Sequence, residues 1–138
     1  MKTEQLTLIT SITAAATLTK NLFVGFDGAL CSADAKALGV CNADTLIGEQ
    51  MPISVSGIAL VYSGGAVTVG TSVSSDSAGK AVASTVLSAT VPSTGTAVTS
   101  SSAQPEMDIA GSVLPQAING FALDVASGAD ELIRVLIK

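Results

Sequence analysis

Between Ile53 and Ala83 apolar residues alternate with small, mostly polar ones in short runs: Ile53 and Val55, then Ile58, Leu60 and Tyr62, then Val67, Val69 and Val73. A period of two places alternate side chains on opposite faces of an extended chain, so the stretch predicts strands with one buried face carrying these residues. Gly64-Gly65 interrupts the alternation, and a two-residue turn there calls for the positive φ that glycine adopts cheaply. Asp76-Ser77-Ala78-Gly79 interrupts it again, with Asp first and Gly last as in a type I turn. The expected order is strand, turn, strand, turn, strand.

Composition agrees with a β fold. Of 138 residues 48% are hydrophobic but only 3% aromatic, with no Trp, so Val, Ile, Leu and Ala must build the core. β-branched side chains are stiff at χ1 and suit a pleated surface. Charged residues make up 12%, about half the usual ~25%. Ser, Thr and Gly must therefore cover much of the surface, as on chains that bury part of it against other subunits. The length suits one domain with one core.

The same counts exclude several functions. Six scattered basic residues in a chain of net charge −5 do not supply the clustered cations that nucleic acid requires, so no nucleic-acid partner is expected. No apolar run reaches the ~18 residues of a membrane span. The start, Met1-Lys2 followed by LTLITSITAAA, superficially resembles a signal peptide, but Glu4, Gln5 and repeated Thr and Ser spoil its apolar middle. Cys31 and Cys41 either face each other across a short hairpin as a disulfide or are two small buried hydrophobes in a reducing compartment, the reading adopted here. With two cysteines and no histidine, a zinc site is not expected, and a Ser-His-Asp or Cys-His centre is excluded.

Other chemistry has weak support. Gly79-Lys80 lacks the rest of a phosphate loop, with Ser74 and Ala81 in the places of Gly and Ser/Thr. Asp27 and Asp76 sit outside any spaced run of calcium ligands. Asp27, Asp44, Glu49 and Asp130 fall at turns or loop edges, where a carboxylate normally bonds its own backbone. Asp130-Glu131 is expected to pair with Arg134 at the surface. No catalytic residue, metal or cofactor is expected, and the chain is not expected to be an enzyme.

In chain order, residues 1–20 form a Thr-rich lead-in without caps or a helical stripe. They read either as a loose terminus or as an extended arm that adds a strand to a neighbouring chain, the reading preferred here. The remainder, 21–138, reads as a β domain. Asp27-Gly28 between Leu22–Val24 and Phe26–Leu30 is the strongest short hairpin signal. Leu38–Cys41 reads as a strand. Residues 84–117 are a long Ser/Thr/Pro-rich connection holding Pro92, Pro105 and Pro115. Proline cannot donate to a ladder, so this is no run of central strands. Ile118–Leu123 and Glu131–Ile137 return to strand pattern, the last covered in part on both faces. Leu38–Ile53 and Ile118–Val135 echo each other as strand, loop, strand, which would suit two hairpins in opposite parts of one barrel.

The phrase Gly48-Glu49-Gln50-Met51-Pro52-Ile53-Ser54-Val55-Ser56-Gly57-Ile58, followed by the Gly64-Gly65 pair and AVTVGTSVSSDSAGKAVA, resembles the central segment of bacteriophage head decoration (capsid cement) proteins of the small β-tulip type. The resemblance spans about Leu38 to Ala83 and resumes over Ile118 to Ile137, and the 84–117 connection is longer than in that family. It implies an all-β fold, a small antiparallel barrel or sandwich with an extended N-terminal arm. It further implies a structural virion protein, made in the host cytoplasm, that binds the outer capsid surface. There it would staple neighbouring major capsid subunits, commonly as a homotrimer. Leu6, Leu8 and Ile9, apolar residues in a segment with no core of its own, are the expected capsid contacts. Met1–Thr13 is expected to be dispensable for folding. The alternative is a phage fibre or adhesin module with 84–117 as its binding loop.

Overall fold

The computed structural model describes residues 1–85, 88–90, 108–110 and 116–138. Ten strands run in chain order: β1 (Gln5–Thr13), β2 (Phe23–Val24), β3 (Gly39–Cys41), β4 (Gln50–Gly64), β5 (Ser72–Ser75), β6 (Ala81–Ala83), β7 (Ser88–Thr90), β8 (Asp108–Ala110), β9 (Gly120–Ala122) and β10 (Ala129–Ile137). No helix occurs among the described residues. The fold is all-β, as the residue pattern predicts. It divides into two units: Met1–Ser84 with Gln116–Lys138, and Thr85–Pro115. In the second, β7 and β8 pair antiparallel, Ser88 opposite Ala110. Pro92, Pro105 and Pro115, on which the reading of 84–117 rests, lie outside the described residues.

The 15-residue β4 spans about 50 Å at ~3.3 Å per residue and belongs to two layers. Its C-terminal half is a stave of a closed barrel: β4 pairs β10, β10 pairs β9, β9 pairs β5, β5 pairs β6, and β6 returns to β4. That return is the one parallel pairing among the described strands, Ser63 opposite Ala81. Its N-terminal half runs out of the barrel between β1 and β3, with β2 beyond β3. The edges are fixed by residues with two partners. Ser54 lies between Ile9 and Val40, and Ile58 lies between Gln5 and Leu136. Hence β1 and β6 follow one another along one edge of β4, while β3 and β10 follow along the other.

Each half has its own core. The barrel core of Ala59, Val61, Val67, Val73, Ala122, Ile133 and Val135 forms one cluster with Phe23 and Val40 from β2 and β3. Ala14, Leu18, Val24, Cys41, Met51 and Ile53 pack together as the second cluster. The expected buried face of β4 needs correction. Met51 and Ile53 point inward, and the same parity carries Ala59, Val61 and Ser63 inside, while Ile58, Leu60 and Tyr62 are half-buried on the opposite face. Both faces are apolar, so alternation alone did not choose between them. Barrel diameter shrinks as the number of strands falls, and in a five-stranded ring Ala59 and Val61 fit beside Ile133 and Val135 where Leu60 and Tyr62 would overfill it.

The Gly64-Gly65 hairpin is a second correction. Neither glycine has positive φ, and β4 is not followed by an antiparallel partner. Both edges of its end are already taken, by β6 and β10. The chain instead bridges Val67 to Ala126, turns at Gly70 (φ 82) and enters β5. Gly64 is required by space: a Cβ there would run into the Asp76 carboxylate and Val82. The two Asp-Gly turns form as expected. Asp76 Oδ1 accepts from the amides of Ala78 and Lys80, both at 2.8 Å, and Gly79 has φ 72. Asp27 Oδ1 accepts from Ala29 N at 3.1 Å, Gly28 has φ 80, and Val24 bridges Leu30. The echoed units are both antiparallel pairs, but β3 lies outside the ring that contains β9 and β10.

Both cysteines are free and buried, Cys31 in the barrel cluster and Cys41 in the other. Their Sγ–H groups donate to Ala35 O and Ala43 O. Burial pushes both thiols above the ordinary value, so they behave as inert small hydrophobes.

Polar clips hold the barrel's loops. Ser63 Oγ donates to Gly128 O at 2.7 Å and accepts from Glu131 N at 3.1 Å. Asp124 accepts from Arg134 three ways: from its amide at 2.9 Å, from Nη2 at 2.8 Å and from Nε at 3.1 Å. The Arg134 guanidinium holds the Asp124 carboxyl down at about 2. A depressed carboxyl stabilises the fold above its unfolded pKa, about 3.9, and that contribution is lost as pH falls through the folded one. Asp124→Asn is therefore expected to lower Tm at pH 5–7. The gap to the parent should close between about pH 4 and pH 2 in a series of melts.

Candidate docking surface

Strand β1 carries all three residues expected to grip a partner, and the structure separates them. Leu6 is half-buried and packs against the barrel core, so its first duty is to the fold. Leu8 and Ile9 project outward, 55% and 50% exposed. Gln5–Thr13 is extended as predicted, but along its own chain: it pairs with β4 from Gln5 opposite Ile58 to Thr13 opposite Gln50. Ile12 packs on the second core cluster. Met1–Thr13 is thus no removable appendage, because deleting it would uncover one edge of β4 and part of both clusters.

The local sequence explains the placement. β1 reads QLTLITSIT, and its five Thr and Ile residues favour a strand on a half-buried surface. Gly57 provides the crossing. It has φ 107, and a Cβ there would collide with Gln5 O and approach Thr7 N at 2.8 Å. Only glycine lets β1 lie this close at the point where β10 takes over the opposite edge. The ladder shifts register at Leu6/Leu8 and Leu8/Ile9. Such bulges re-aim side chains, and here two neighbours in sequence, Leu8 and Ile9, are both exposed.

Further apolar groups stand exposed at the two ends of β4. At one end are Phe26, Leu46 and Ile47. Their loops both attach to the segment after β1: Ala15 N donates to Gly28 O, and Gly48 N donates to Ala14 O. At the other end are Val69 and Val125, on loops joined by the reciprocal Val67–Ala126 bonds and by Gly70 N to Ala122 O. Leu46, Ile47 and Val125 lie in loops, where an apolar residue breaks no pattern, whereas Phe26 and Val69, which the sequence pattern placed in strands, fall in turns and are exposed.

The acidic residues that the sequence singles out are occupied structurally. Asp27 and Asp76 cap their own turns, Asp44 accepts from Lys20 N, and Glu49 accepts from Leu46 N. The expected pairing of Asp130-Glu131 with Arg134 is replaced. Asp130 meets Lys80 at 2.5 Å, Glu131 accepts from Ser127 and Gly128, and Arg134 goes to Asp124. Among the described residues no His, Cys, Asp and Glu cluster could hold a metal ion, and no helix is long and apolar enough to cross a membrane.

What remains as a surface for function is apolar and hydroxylic, placed on a barrel with an added sheet. A family model for phage cement proteins matches residues 1–137. The chain belongs to the phage cement protein family. Among curated proteins none matches it. Membership makes this cement protein a structural component of the phage capsid, and directs attention to surfaces that adhere rather than to groups that react.

Proposed function

We propose that this cement protein binds the outer face of the phage head and staples neighbouring major capsid subunits, without catalysing any reaction. The observation that carries the proposal is the family match. The surface supports it. Leu8 and Ile9 offer apolar contact outside the core, and the exposed apolar loops stand at opposite ends of a strand about 50 Å long. A staple needs two such ends, one for each body it joins. A protein that binds only the assembled shell stabilises that state by mass action, by about 2.7 kcal/mol per site at 100 times Kd. Many copies, grouped as cyclic homotrimers, multiply the effect. The weakly charged Ser/Thr-rich surface suits such contacts. The protein is made in the host cytoplasm and meets the shell there.

The test is to mix purified protein with undecorated, expanded heads, count bound copies and image them. Saturation at a copy number fixed by the shell lattice, with bound heads surviving heat that opens bare ones, is the expected result. A few copies at a vertex or tail would favour a fibre or adhesin role. No binding at all would end the cement reading. Light scattering of the free protein checks the trimer.

A further inference from the structure

The main-chain directions along β1 can be worked out from its partner. Pro52 O accepts from Asn42 N beyond β3, so the Pro52 main chain turns toward the β3 edge. Gln50 and Ser54, two positions either side, turn the same way, because main-chain groups alternate along a strand. Their partners on β1 are Thr13, Ser11 and Ile9. Those three residues therefore turn their N–H and C=O groups away from β4. Thr10 and Ile12 face β4, and Ala14 N continues that side by donating to Glu49 O.

The outer edge of β1 is thus a row of donors and acceptors from Ile9 and Ser11, ~6.8 Å apart, ended by the N–H of Thr13, whose C=O lies against Gly28. Among the described residues no other strand pairs with it. Exposed edges are normally blunted by Lys, Pro or inward charges, because they template the addition of another strand. QLTLITSIT holds no charge, no proline and no glycine. Its bulges fall between Leu6 and Ile9, and leave Ile9–Thr13 regular.

Resting on the cement reading, we infer that this edge is completed by an extended, uncharged segment of the capsid shell protein, hydrogen-bonded to Ile9, Ser11 and the N–H of Thr13 as an added strand. Only another extended main chain matches that spacing of alternating donors and acceptors. A second copy of this chain is the poorer occupant. Pairing through the same edge would be two-fold, would hide Ile9 from the shell, and would bring together two molecules of net charge −5.

Ser11→Pro tests the inference. It removes an N–H that points away from β4, so every β1–β4 bond survives, and edge strands accept proline at such a position. The variant is expected to keep the parent's circular dichroism and Tm within a few degrees, and to bind undecorated heads at least ~100-fold more weakly. Ser11→Ala, which keeps the N–H, should bind as the parent does. Hydrogen exchange on the unaltered protein gives a second readout: the amides of Ile9, Ser11 and Thr13 should exchange fast in free protein and be protected on heads. Folded Ser11→Pro that binds normally, or no protection on binding, overturns the inference while leaving the cement reading intact. A parent dimer that Ser11→Pro dissolves without loss of head binding overturns it in favour of self-pairing. Failure of the parent to bind heads refutes the cement reading itself.

Discussion

Protein carrying Leu8→Asp and Ile9→Asp together is expected to fold as the parent does and to lose about 100-fold or more in affinity for undecorated heads. Both side chains are half or more exposed, so the fold gives up little when they change. A buried aliphatic side chain is worth about 1.5–3 kcal/mol. Losing two of them at a docked face, while burying two carboxylates, exceeds the ~2.7 kcal/mol that corresponds to 100-fold. A binding titration on heads, beside a melt of the free protein, makes the check. Unchanged affinity would remove β1 from the contact. The same change at Leu6 would be uninformative, because Leu6 packs on the barrel core and its loss would damage the fold as well as the surface.

Gly57→Val should be the most damaging single substitution outside the cores. The residue sits at φ 107, where a β-branched side chain is strained, and any Cβ there collides with Gln5 O. Backbone strain of about 1–3 kcal/mol adds to the displacement of β1 from β4. A loss of ~3 kcal/mol or more, a fall in Tm on the order of 10 °C, is expected. The damage should be local. Amide exchange should rise first along β1 and over Gln50–Ser56, while β9 and β10, paired within the ring, stay protected. Head binding should fall with it, since Leu8 and Ile9 then have no fixed place. A variant with normal Tm would show that β1 is not seated as described.

Both outcomes turn on β4, and β4 also marks how far the sequence could be read. Its alternation announced a strand, and the Asp27-Gly28 and Asp76–Gly79 turns announced themselves, because turn chemistry is a property of two to four adjacent residues. The placement of Leu6, Leu8 and Ile9 in an extended segment was legible for the same reason. Which face of β4 turns inward was not. Ile58, Leu60 and Tyr62 alternate with Ala59 and Val61, and both sets are apolar. The radius of a closed ring decided in favour of the smaller side chains, and closure depends on β10, some 70 positions away. Nor was the fate of Gly64-Gly65 legible, since a hairpin needs a vacant edge and distant strands had filled both.

The amino-acid order alone therefore determined an all-β chain, its local turns, the absence of histidine chemistry and a resemblance strong enough to name a family. Those follow from periodicity, composition and short-range conformational preference. The tertiary structure alone decided that residues 5–13 lie on their own sheet, that Leu6 serves the core while Leu8 and Ile9 do not, and that Ile9 and Ser11 leave an edge open. Each of these depends on which main-chain groups find partners across dozens of residues, and a strand's own sequence does not record which of its two edges will be taken.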